Sequence, residues 1–230
     1  MATVLRAQNR VTPASRSGLR SGSADRALPI PLRRIIKRSV QCLSLILVLP
    51  VAILCGLGRI NVLYTSFAQL FSLFPGIGGT FLRSAFYKYT LRECSLDTSI
   101  AFGSFFSSRL ARVEANVAIG SFCVIGRARI GARTQIASHV EIPSGRHQHG
   151  HDEDGQIGDG EFQEVEIGPD CWIGASAVIM ARVGQGSTIG AGSVVVKDIP
   201  GGVIAAGVPA RIIRTIHFES PKSVGTAEGL

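Results

Sequence analysis

Three histidines stand at alternate positions in one stretch of the chain: His147, His149 and His151, followed directly by three acidic residues. They lie in a polar segment between two apolar repeats, one ending at Ile142 and the next resuming at Ile167. A neutral imidazole can take the proton of a hydroxyl group while the hydroxyl oxygen attacks a thioester carbonyl. The stretch therefore indicates general-base catalysis. His147 is the first candidate because it follows the last apolar position most closely, and His149 is the second.

Two other interpretations of the histidine stretch remain open. Alternating imidazoles beside carboxylates could bind zinc or iron, and the segment could also be a solvated polar loop. We favour the catalytic interpretation because a long loop that leaves a regular repeat is more often functional than structural. His139, in a strand-like pattern, is expected to be a hydrogen-bonded packing or orienting residue. His217, near the C-terminus, is expected to have no catalytic part.

The elements that must hold this loop are repeats of six residues. A period of six is not the 3.6-residue period of an amphipathic helix. Each hexad predicts one short strand with its aliphatic residue pointing inward, and three hexads close one rung of a coil. The prediction is a β-class fold, a left-handed parallel β-helix, with a loop at residues 143–166 and irregular corners after Ile125 and Ile179, where the spacing shortens. The aliphatic positions are Val113, Ile119, Ile125, Ile130, Ile136, Ile142, Ile167, Ile173, Ile179, Val183, Ile189 and Val195.

The N-terminal part differs in character from the repeats. The formal net charge of +8 comes from residues 1–38, which hold nine basic residues and one acidic residue. Residues 39–58 and 60–82 carry no charge, and the first stretch is long enough to cross the hydrocarbon core of a bilayer. The second contains Pro75, which is expected to break its helix. Buried helices of a soluble protein, or a signal peptide, are the alternatives.

These features predict a disordered basic tail at residues 1–38 and an apolar, helical, membrane-associated region at residues 39–92. Lipid contact is expected through residues 39–82, either spanning the membrane or lying in it. The basic flank favours the cytoplasmic face of an inner membrane, and no nucleic-acid partner is expected. The five cysteines show neither disulfide nor metal-site spacing, so they are expected to be reduced, buried thiols.

The most specific pattern follows the histidine loop. The runs DCWIGASAVIM (residues 170–180) and IGAGSVVVKDIPGGVIAAGVPARIIR (residues 189–214) resemble the hexapeptide-repeat acetyltransferases of the galactoside, maltose and nodulation-factor type. The resemblance covers residues 95–214, about half of the chain. The apolar N-terminal region is similar to that of membrane-associated members thought to modify exopolysaccharide or lipopolysaccharide precursors.

The resemblance implies a catalytic histidine in the loop after Ser144 and Gly145. Arg146 is an extra residue relative to the family's pattern, so both His147 and His149 remain candidates. A threonine of the family's pattern is replaced by Val196, which removes a side-chain hydroxyl from the expected cofactor groove. The residues implied to bind acetyl-CoA are Trp172, Ala175, Ala191, Val196, Lys197, Arg211 and Arg214.

The resulting functional prediction is an acetyl-CoA-dependent O-acetyltransferase that acts on a sugar hydroxyl. The acceptor is expected to be a carbohydrate of an exopolysaccharide, a lipopolysaccharide or a lipid-linked precursor. The catalytic domain is expected at residues 93–214 and a tail at residues 215–230, with active sites between the subunits of a homotrimer and no metal. The alternatives are a metal-dependent hydratase resembling the γ-class carbonic anhydrases and a non-enzymatic, membrane-bound trimeric scaffold.

Overall fold

The computed structural model describes residues 30–145, 149–151, 157–159 and 161–216. Three helices come first: α1 (Ile30–Leu54), α2 (Asn61–Ser72) and α3 (Gly76–Thr90). The strands that follow are β1 (Glu93–Cys94), β2 (Ser99–Ile100), β3 (Phe105–Phe106), β4 (Arg112–Val113), β5 (Ala118–Ile119), β6 (Val124–Ile125), β7 (Ala128–Ile130), β8 (Gln135–Ile136), β9 (Glu141–Ile142), β10 (His149–His151), β11 (Ile157–Asp159), β12 (Val165–Ile167), β13 (Trp172–Ile173), β14 (Val178–Ile179), β15 (Thr188–Ile189), β16 (Val194–Val195), β17 (Val203–Ala206) and β18 (Arg211–Thr215).

Three sheets form the sides of a coil. Sheet A joins β1, β4, β7 and β12; sheet B joins β2, β5, β8, β13, β15, β17 and β18; sheet C joins β3, β6, β9, β14 and β16. The chain visits the three sheets in turn and pairs in parallel from rung to rung, for example β4 with β7 and β5 with β8. At the C-terminal end, β18 turns back and pairs antiparallel with β17. The structure confirms the predicted parallel β-helix preceded by an apolar helical segment.

The inside of the coil is a column of aliphatic side chains. In each two-residue strand the second residue is buried and points inward, whereas the first is more exposed. Each fully buried isoleucine contributes about 1.5–3 kcal/mol relative to an exposed one. The hexad interpretation is therefore confirmed residue by residue. Buried members of the column are Val113, Ile119, Ile125, Ile130, Ile136, Ile142, Ile167, Ile173, Ile179, Val183, Ile189 and Val195.

The three corners of the coil, here named AB, BC and CA after the sheets that they join, differ in geometry. Corner BC places one residue per rung in the left-handed region of φ, such as Phe122, and corner AB does so from the second rung onward, for example at Arg133. Corner CA carries both shortened steps of the repeat: only Gly126 and Arg127 separate β6 from β7, for example. The long loop also leaves from corner CA, between β9 and β12. The shortened steps of the repeat and the long loop therefore lie along the same edge of the coil.

Glycines after the inward residue allow the rungs to approach closely. A Cβ atom on Gly174 would lie 2.5 Å from the backbone nitrogen of Ala191 and 2.8 Å from the carbonyl carbon of Gly190. We expect Gly174→Ala to lower the free energy of unfolding by about 1–3 kcal/mol, because backbone must move. In the matched control, Gly78→Ala in α3, the new methyl group meets nothing within 4 Å, so a gain of about 0.5–1 kcal/mol is expected. Denaturant unfolding of both variants measures the difference, and a similar loss in both would contradict this account.

The N-terminal end of the coil is closed by α2 and α3. Without a cover, the first rung would expose an open sheet edge and one end of its apolar column. The hydroxyl group of Tyr64 donates to the carbonyl oxygen of Phe106 (2.9 Å), and the hydroxyl oxygen of Tyr87 accepts from the Phe106 N–H (3.1 Å). Two buried tyrosines therefore form the hydrogen bonds to strand β3 that a preceding rung would otherwise form. Burial raises the pKa of both phenols well above the ordinary value.

Arg83 of α3 is the central contact of this cap, and its side chain is fully buried. Its guanidinium group donates to the carbonyl oxygens of Ile100 (2.8 Å), Phe71 (3.1 Å), Phe74 (2.8 Å) and Ser72 (3.3 Å). Burial lowers the pKa of this guanidinium group from its ordinary value. The residue joins α3 to the C-terminal end of α2 and to the first rung of the coil.

Helix α1 lies along the cap and is attached at both ends. Near its start, the Lys37 ammonium group contacts the Asp97 carboxylate at 2.8 Å, and the Gln41 side-chain amide donates to the carbonyl oxygen of Leu96 at 2.8 Å. Just past its end, the backbone of Gly58 approaches Thr90 so closely that a Cβ atom would lie 2.4 Å from the Thr90 carbonyl oxygen. The first rung of the coil therefore holds the start of α1, and the end of α3 packs against the segment just past it, which together fix the direction of the helix.

The helix begins at Ile30 and so includes the last part of the segment that we predicted as a disordered tail. Arginine and lysine are good helix formers, and a proline is tolerated in the first turn, so the apolar helix continues into basic sequence. By length and composition, its span Arg34–Leu54 could cross a membrane, and only 17% of the apolar stretch within it is buried. Residues 1–29 lie outside the described residues.

Candidate functional site

The base of the long loop is held by hydrogen bonds at corner CA. The Ser144 hydroxyl oxygen accepts from the Arg127 N–H at 2.8 Å, and the Ser144 carbonyl oxygen accepts from the Gln163 N–H at 2.9 Å. Gly145 takes a φ of +91°, and a Cβ atom there would lie 2.9 Å from the side chain of Gln163. The two ends of the loop are therefore closed against each other, and the loop projects from a rigid base.

Within the loop, the described backbone forms a short antiparallel hairpin. Strand β10 pairs with β11, with His149 opposite Asp159 and His151 opposite Ile157. The hairpin thus carries two of the three histidines that the sequence indicates. His147, the first candidate for the general base, lies outside the described residues, as does Arg146.

A cavity of about 240 Å³ opens at the loop base and continues along corner CA. Its charged lining consists of Glu164 and Glu166 from the loop end and β12, and of Arg182 and Asp198 from the two following rungs. The Arg182 Nε atom lies 3.3 Å from a Glu166 carboxylate oxygen, and the Arg182 N–H donates to the Asp198 carboxylate at 3.1 Å. Acidic groups with one arginine beneath a histidine loop can orient an imidazole and favour its protonated form during proton transfer.

Glu164 is the residue of this cavity that sequence reasoning missed. It is half-buried, lines the cavity, and forms no ion pair or side-chain hydrogen bond among the described residues. The signal in the sequence is the alternation Glu164–Val165–Glu166, in which the buried valine directs both carboxylates outward. Such a pattern predicts a strand with two carboxylates on its outer face. Only the tertiary structure shows that these carboxylates line a cavity at the base of the histidine loop.

The residues implied to bind acetyl-CoA fall into two groups. The first lies at or near corner BC: Ala175 and Ala191 are exposed in successive rungs, and the Gly192 N–H donates to the Ala175 carbonyl oxygen. Trp172 lies in the preceding strand of sheet B and is also exposed. Two small side chains in line leave room for a thin pantetheine chain against the coil.

Arg211 and Arg214 belong to the same group because β18 turns back and forms the last strand of sheet B. Arg211 lies opposite Ala206, at the corner BC end of β17, and Arg214 lies opposite Ile204. Both arginines are exposed, and neither forms an ion pair among the described residues. Guanidinium groups of this kind suit the phosphates of a nucleotide.

Val196 and Lys197 form the second group, and they lie on the other edge of sheet C. They follow β16 directly and stand at corner CA, next to Asp198 of the loop-base cavity. The residues implied to bind acetyl-CoA therefore do not lie in one pocket of a single chain. Sheet C separates the small and basic residues of corner BC from the loop base and Lys197 at corner CA.

His139 does not occupy the strand that we predicted for it. It lies at corner BC with a φ of +61°, is exposed, and stacks on Phe122 with ring centroids 5.3 Å apart. His139 is thus a packing residue, as predicted, but it packs through its ring, and no side-chain hydrogen bond of His139 occurs in the described part of the chain. The hexad pattern continues through position 139, but the corner takes that position in the left-handed conformation.

The cysteines provide no nucleophile for a covalent intermediate. Cys55, Cys94, Cys123 and Cys171 are free and buried, and burial raises the pKa of each thiol, that of Cys94 to about 12. Cys42, predicted to be buried, is exposed on α1, far along the chain from the loop. Within residues 30–145 and the later described segments, no three metal-ligating side chains converge on a common point.

No protein-family model matches the chain. The chain is 53% identical to the galactoside O-acetyltransferase of Escherichia coli K12 over 55 residues. The matched segment covers 23% of this chain and 27% of the relative. Over 52 residues it is 52% identical to a 2,3,4,5-tetrahydropyridine-2,6-dicarboxylate N-acetyltransferase of Clostridium perfringens, which is 22% of each protein. The solved structure of a maltose O-acetyltransferase from Clostridium difficile 630 superposes with a TM-score of 0.56 at 22% identity, covering 70% of this chain and 90% of that chain.

These comparisons agree with the resemblance seen in the motifs. The chain spans about a quarter of the length of the curated relatives that it matches, and over that segment it is a homologue of acetyltransferases. The superposition with the solved maltose O-acetyltransferase shows that the two chains share a fold. One relative is named for transfer to oxygen and the other for transfer to nitrogen, so the matched segment does not select the acceptor.

Proposed function

We propose that this protein is an acetyl-CoA-dependent O-acetyltransferase acting on a sugar hydroxyl. The observation that carries the proposal is the position of a histidine-bearing loop on a coil homologous to acetyltransferases, at one edge of sheet C. The opposite edge of that sheet presents the small and basic residues expected for coenzyme A. The acceptor is proposed to be a saccharide of a surface polysaccharide or of its lipid-linked precursor.

The reaction is a direct transfer in one site. An imidazole nitrogen of His147 or His149 takes the hydroxyl proton while the hydroxyl oxygen forms a bond with the thioester carbonyl carbon. The tetrahedral intermediate then collapses, the carbon–sulfur bond breaks, and the imidazolium returns its proton to the coenzyme A sulfur. The products are the acetyl ester and free coenzyme A, and no acyl-enzyme is formed. A carboxylate at the loop base, with Glu164 as the candidate, would orient the imidazole.

The separation of the implied residues supports a trimeric arrangement. In a single chain, sheet C lies between Ala175, Ala191 and Arg211 on one edge and the histidine loop with Lys197 on the other. Parallel coils around a three-fold axis would bring the corner BC edge of one chain to the corner CA edge of its neighbour. We therefore propose that each active site is built by two chains and that an isolated subunit is inactive.

We also propose that the N-terminal helices hold the enzyme on the cytoplasmic face of a membrane. Basic residues Arg34 and Arg38 are exposed at the start of α1, which suits anionic lipid. Because α1 is held by the first rung of the coil near its start and packs against the end of α3 just past its own end, the proposal is that it lies in the interface and does not span the bilayer. Exposed apolar side chains on α1 include Leu43, Ile46, Leu47, Ile53 and Leu54.

Binding of acetyl-CoA by the full-length protein tests the transferase proposal. Arg211→Ala is expected to weaken acetyl-CoA binding by about 10- to 100-fold, since a charge-assisted contact with a phosphate is lost. Isothermal titration calorimetry on the purified assembly measures the change, with the exposed Arg92→Ala as a control that should bind like wild type. Absence of acetyl-CoA binding by a folded wild-type assembly would overturn the proposal, and metal analysis would then test the hydratase alternative.

A further inference from the structure

A second cavity, of about 380 Å³, lies between the start of α2 and corner CA of the first rung. The α2 side contributes residues from the turn before the helix and from its first turn, and the coil contributes the segment that joins β3 to β4. The lining residues are Arg59, Asn61, Tyr64, Thr65, Ser107, Ser108, Arg109 and Leu110. This cavity is separate from the loop-base cavity and has no role in the proposed proton transfer.

The chemistry of this cavity suits an anion. Its lining contains two arginines and no acidic residue. Neither Arg59 nor Arg109 forms an ion pair in the part of the chain that the structure describes, whereas Arg129, Arg133 and Arg182 on the coil each contact a carboxylate. Two guanidinium groups left without counterions beside one cavity favour a phosphate group, which accepts several charge-assisted hydrogen bonds.

Neutral donors in the same cavity support the same ligand. The N-cap residue of α2, Ile60, provides no side-chain hydrogen bond, so the first N–H groups of a 12-residue helix lack a cap. Asn61, the first residue of that helix, lines the cavity. The Thr65 hydroxyl group also lines it and has no side-chain partner among the described residues. The helix end thus adds partial positive charge to that of the two arginines.

The surface beside the cavity is apolar. The side chains of Leu57, Ile60 and Val62 are 52%, 47% and 76% exposed, and they flank Arg59 in the sequence. They continue the exposed apolar surface of α1 around its C-terminal turn. A ligand that combined a phosphate group with a hydrocarbon chain would satisfy both surfaces at once, with the phosphate in the cavity and the chain in the adjoining lipid.

The cavity and the histidine loop lie on the same corner of the coil. Ser107, Ser108 and Arg109 occupy corner CA of the first rung, and the loop leaves corner CA of the third rung. Two rungs at about 4.8 Å each separate them by roughly 10 Å. Arg127 lies at the intermediate rung: its Nη1 atom donates to the Phe162 carbonyl oxygen at 3.3 Å, and its Nε atom is buried without a partner among the described residues.

We propose that the Arg59–Arg109 cavity binds the phosphate group of a lipid-linked saccharide acceptor, so that its sugar extends along corner CA to the histidine loop. The inference rests on the proposed transferase function and adds the class of acceptor. The lipid would lie against the apolar surface around Ile60, and the phosphate would fix the distance from the membrane at which the sugar hydroxyl is presented. A soluble phosphorylated saccharide has the same headgroup and is the competing source.

The test measures binding of two probes to the full-length protein in detergent: inorganic phosphate and a short-chain alkyl phosphate below its micelle concentration. Wild type is compared with the double variant Arg59→Gln/Arg109→Gln and with Lys88→Gln, which removes one exposed charge from α3. We expect the alkyl phosphate to bind wild type and the control alike, and the double variant about 10-fold or more weakly. Equal binding of alkyl phosphate by wild type and the double variant would overturn the proposal.

Three further readouts separate the possible failures. If inorganic phosphate binds wild type as tightly as the alkyl phosphate does, the apolar surface contributes nothing to the affinity, and the assignment of a lipid-linked acceptor is overturned. Flotation with phosphatidylcholine vesicles containing phosphatidic acid should recover wild type more efficiently than the double variant. Equal recovery would contradict the assignment of the Arg59–Arg109 cavity as the phosphate site. Acetyl-CoA binding, measured on the same three proteins, should be unchanged; if none binds acetyl-CoA while the phosphate result holds, the transferase proposal fails and the phosphate site stands.

Discussion

Replacing His147 with alanine is expected to lower kcat by about 100- to 10,000-fold while leaving acetyl-CoA binding unchanged. The imidazole acts only when the hydroxyl proton is transferred, and the residues implied to bind coenzyme A belong to the coil and not to the loop hairpin. The measurement is the initial rate of acetyl transfer to a saccharide acceptor, together with calorimetry of acetyl-CoA binding. A loss of both rate and binding would indicate a structural role for the loop instead of proton transfer.

The same measurement on His149→Ala decides between the two candidates. One of the two variants should show the large loss, and the other a smaller one. His217→Ala is the control, since the sequence assigns this residue no catalytic part. Full activity in His147→Ala, His149→Ala and the double variant would exclude both candidates as the general base, and metal content of the purified protein would then become the deciding measurement.

The second large effect concerns stability. Arg83→Met is expected to lower the free energy of unfolding by about 3–5 kcal/mol, because four backbone carbonyl oxygens at the cap lose their donor and an unsatisfied buried group costs about 1–3 kcal/mol. Methionine retains much of the volume of the side chain, so the effect reports on hydrogen bonds more than on packing. Thermal or denaturant unfolding followed by circular dichroism gives the change.

Arg92→Met provides the control, since Arg92 is exposed one residue before β1 and a change within about 0.5 kcal/mol is expected. A further consequence distinguishes the cap from the remainder of the coil. In Arg83→Met, amide hydrogens of the first rung should exchange faster than those of the fourth, because stability in a solenoid passes from neighbour to neighbour. Uniform loss of protection would contradict a local capping role.

Much of the coil could be predicted from spacing alone. A solenoid repeats one local environment, so each inward position, such as Ile119 or Ile173, requires the same kind of side chain at a fixed interval. The interruption after Ile142 marked the loop for the same reason. Spacing also located the irregular corners after Ile125 and Ile179, although it did not show that both lie on the edge from which the loop leaves.

The cap and the site depend on contacts that no local pattern contains. Arg83 looks like an ordinary helical arginine until the carbonyl groups of α2 and β2 converge on it. Glu164 becomes a candidate only because rungs four and five bring Arg182 and Asp198 under the loop. Likewise, Arg59 and Arg109 are 50 positions apart in the sequence, and the start of α2 brings them to one cavity.

The sequence by itself thus determined the class of fold, the place of the histidine loop and the similarity to acetyltransferases, since each follows from residue types at short, regular intervals. Only the tertiary structure decided which corner carries each residue. It placed Ala175 and Lys197 on opposite edges of sheet C, and it attached α1 to the first rung near its start and to the end of α3 just past its own end. The physical reason is that the hexad period determines whether a side chain points into or out of the coil. The edge on which an outward side chain lies depends instead on how many sides of the coil the chain has already formed.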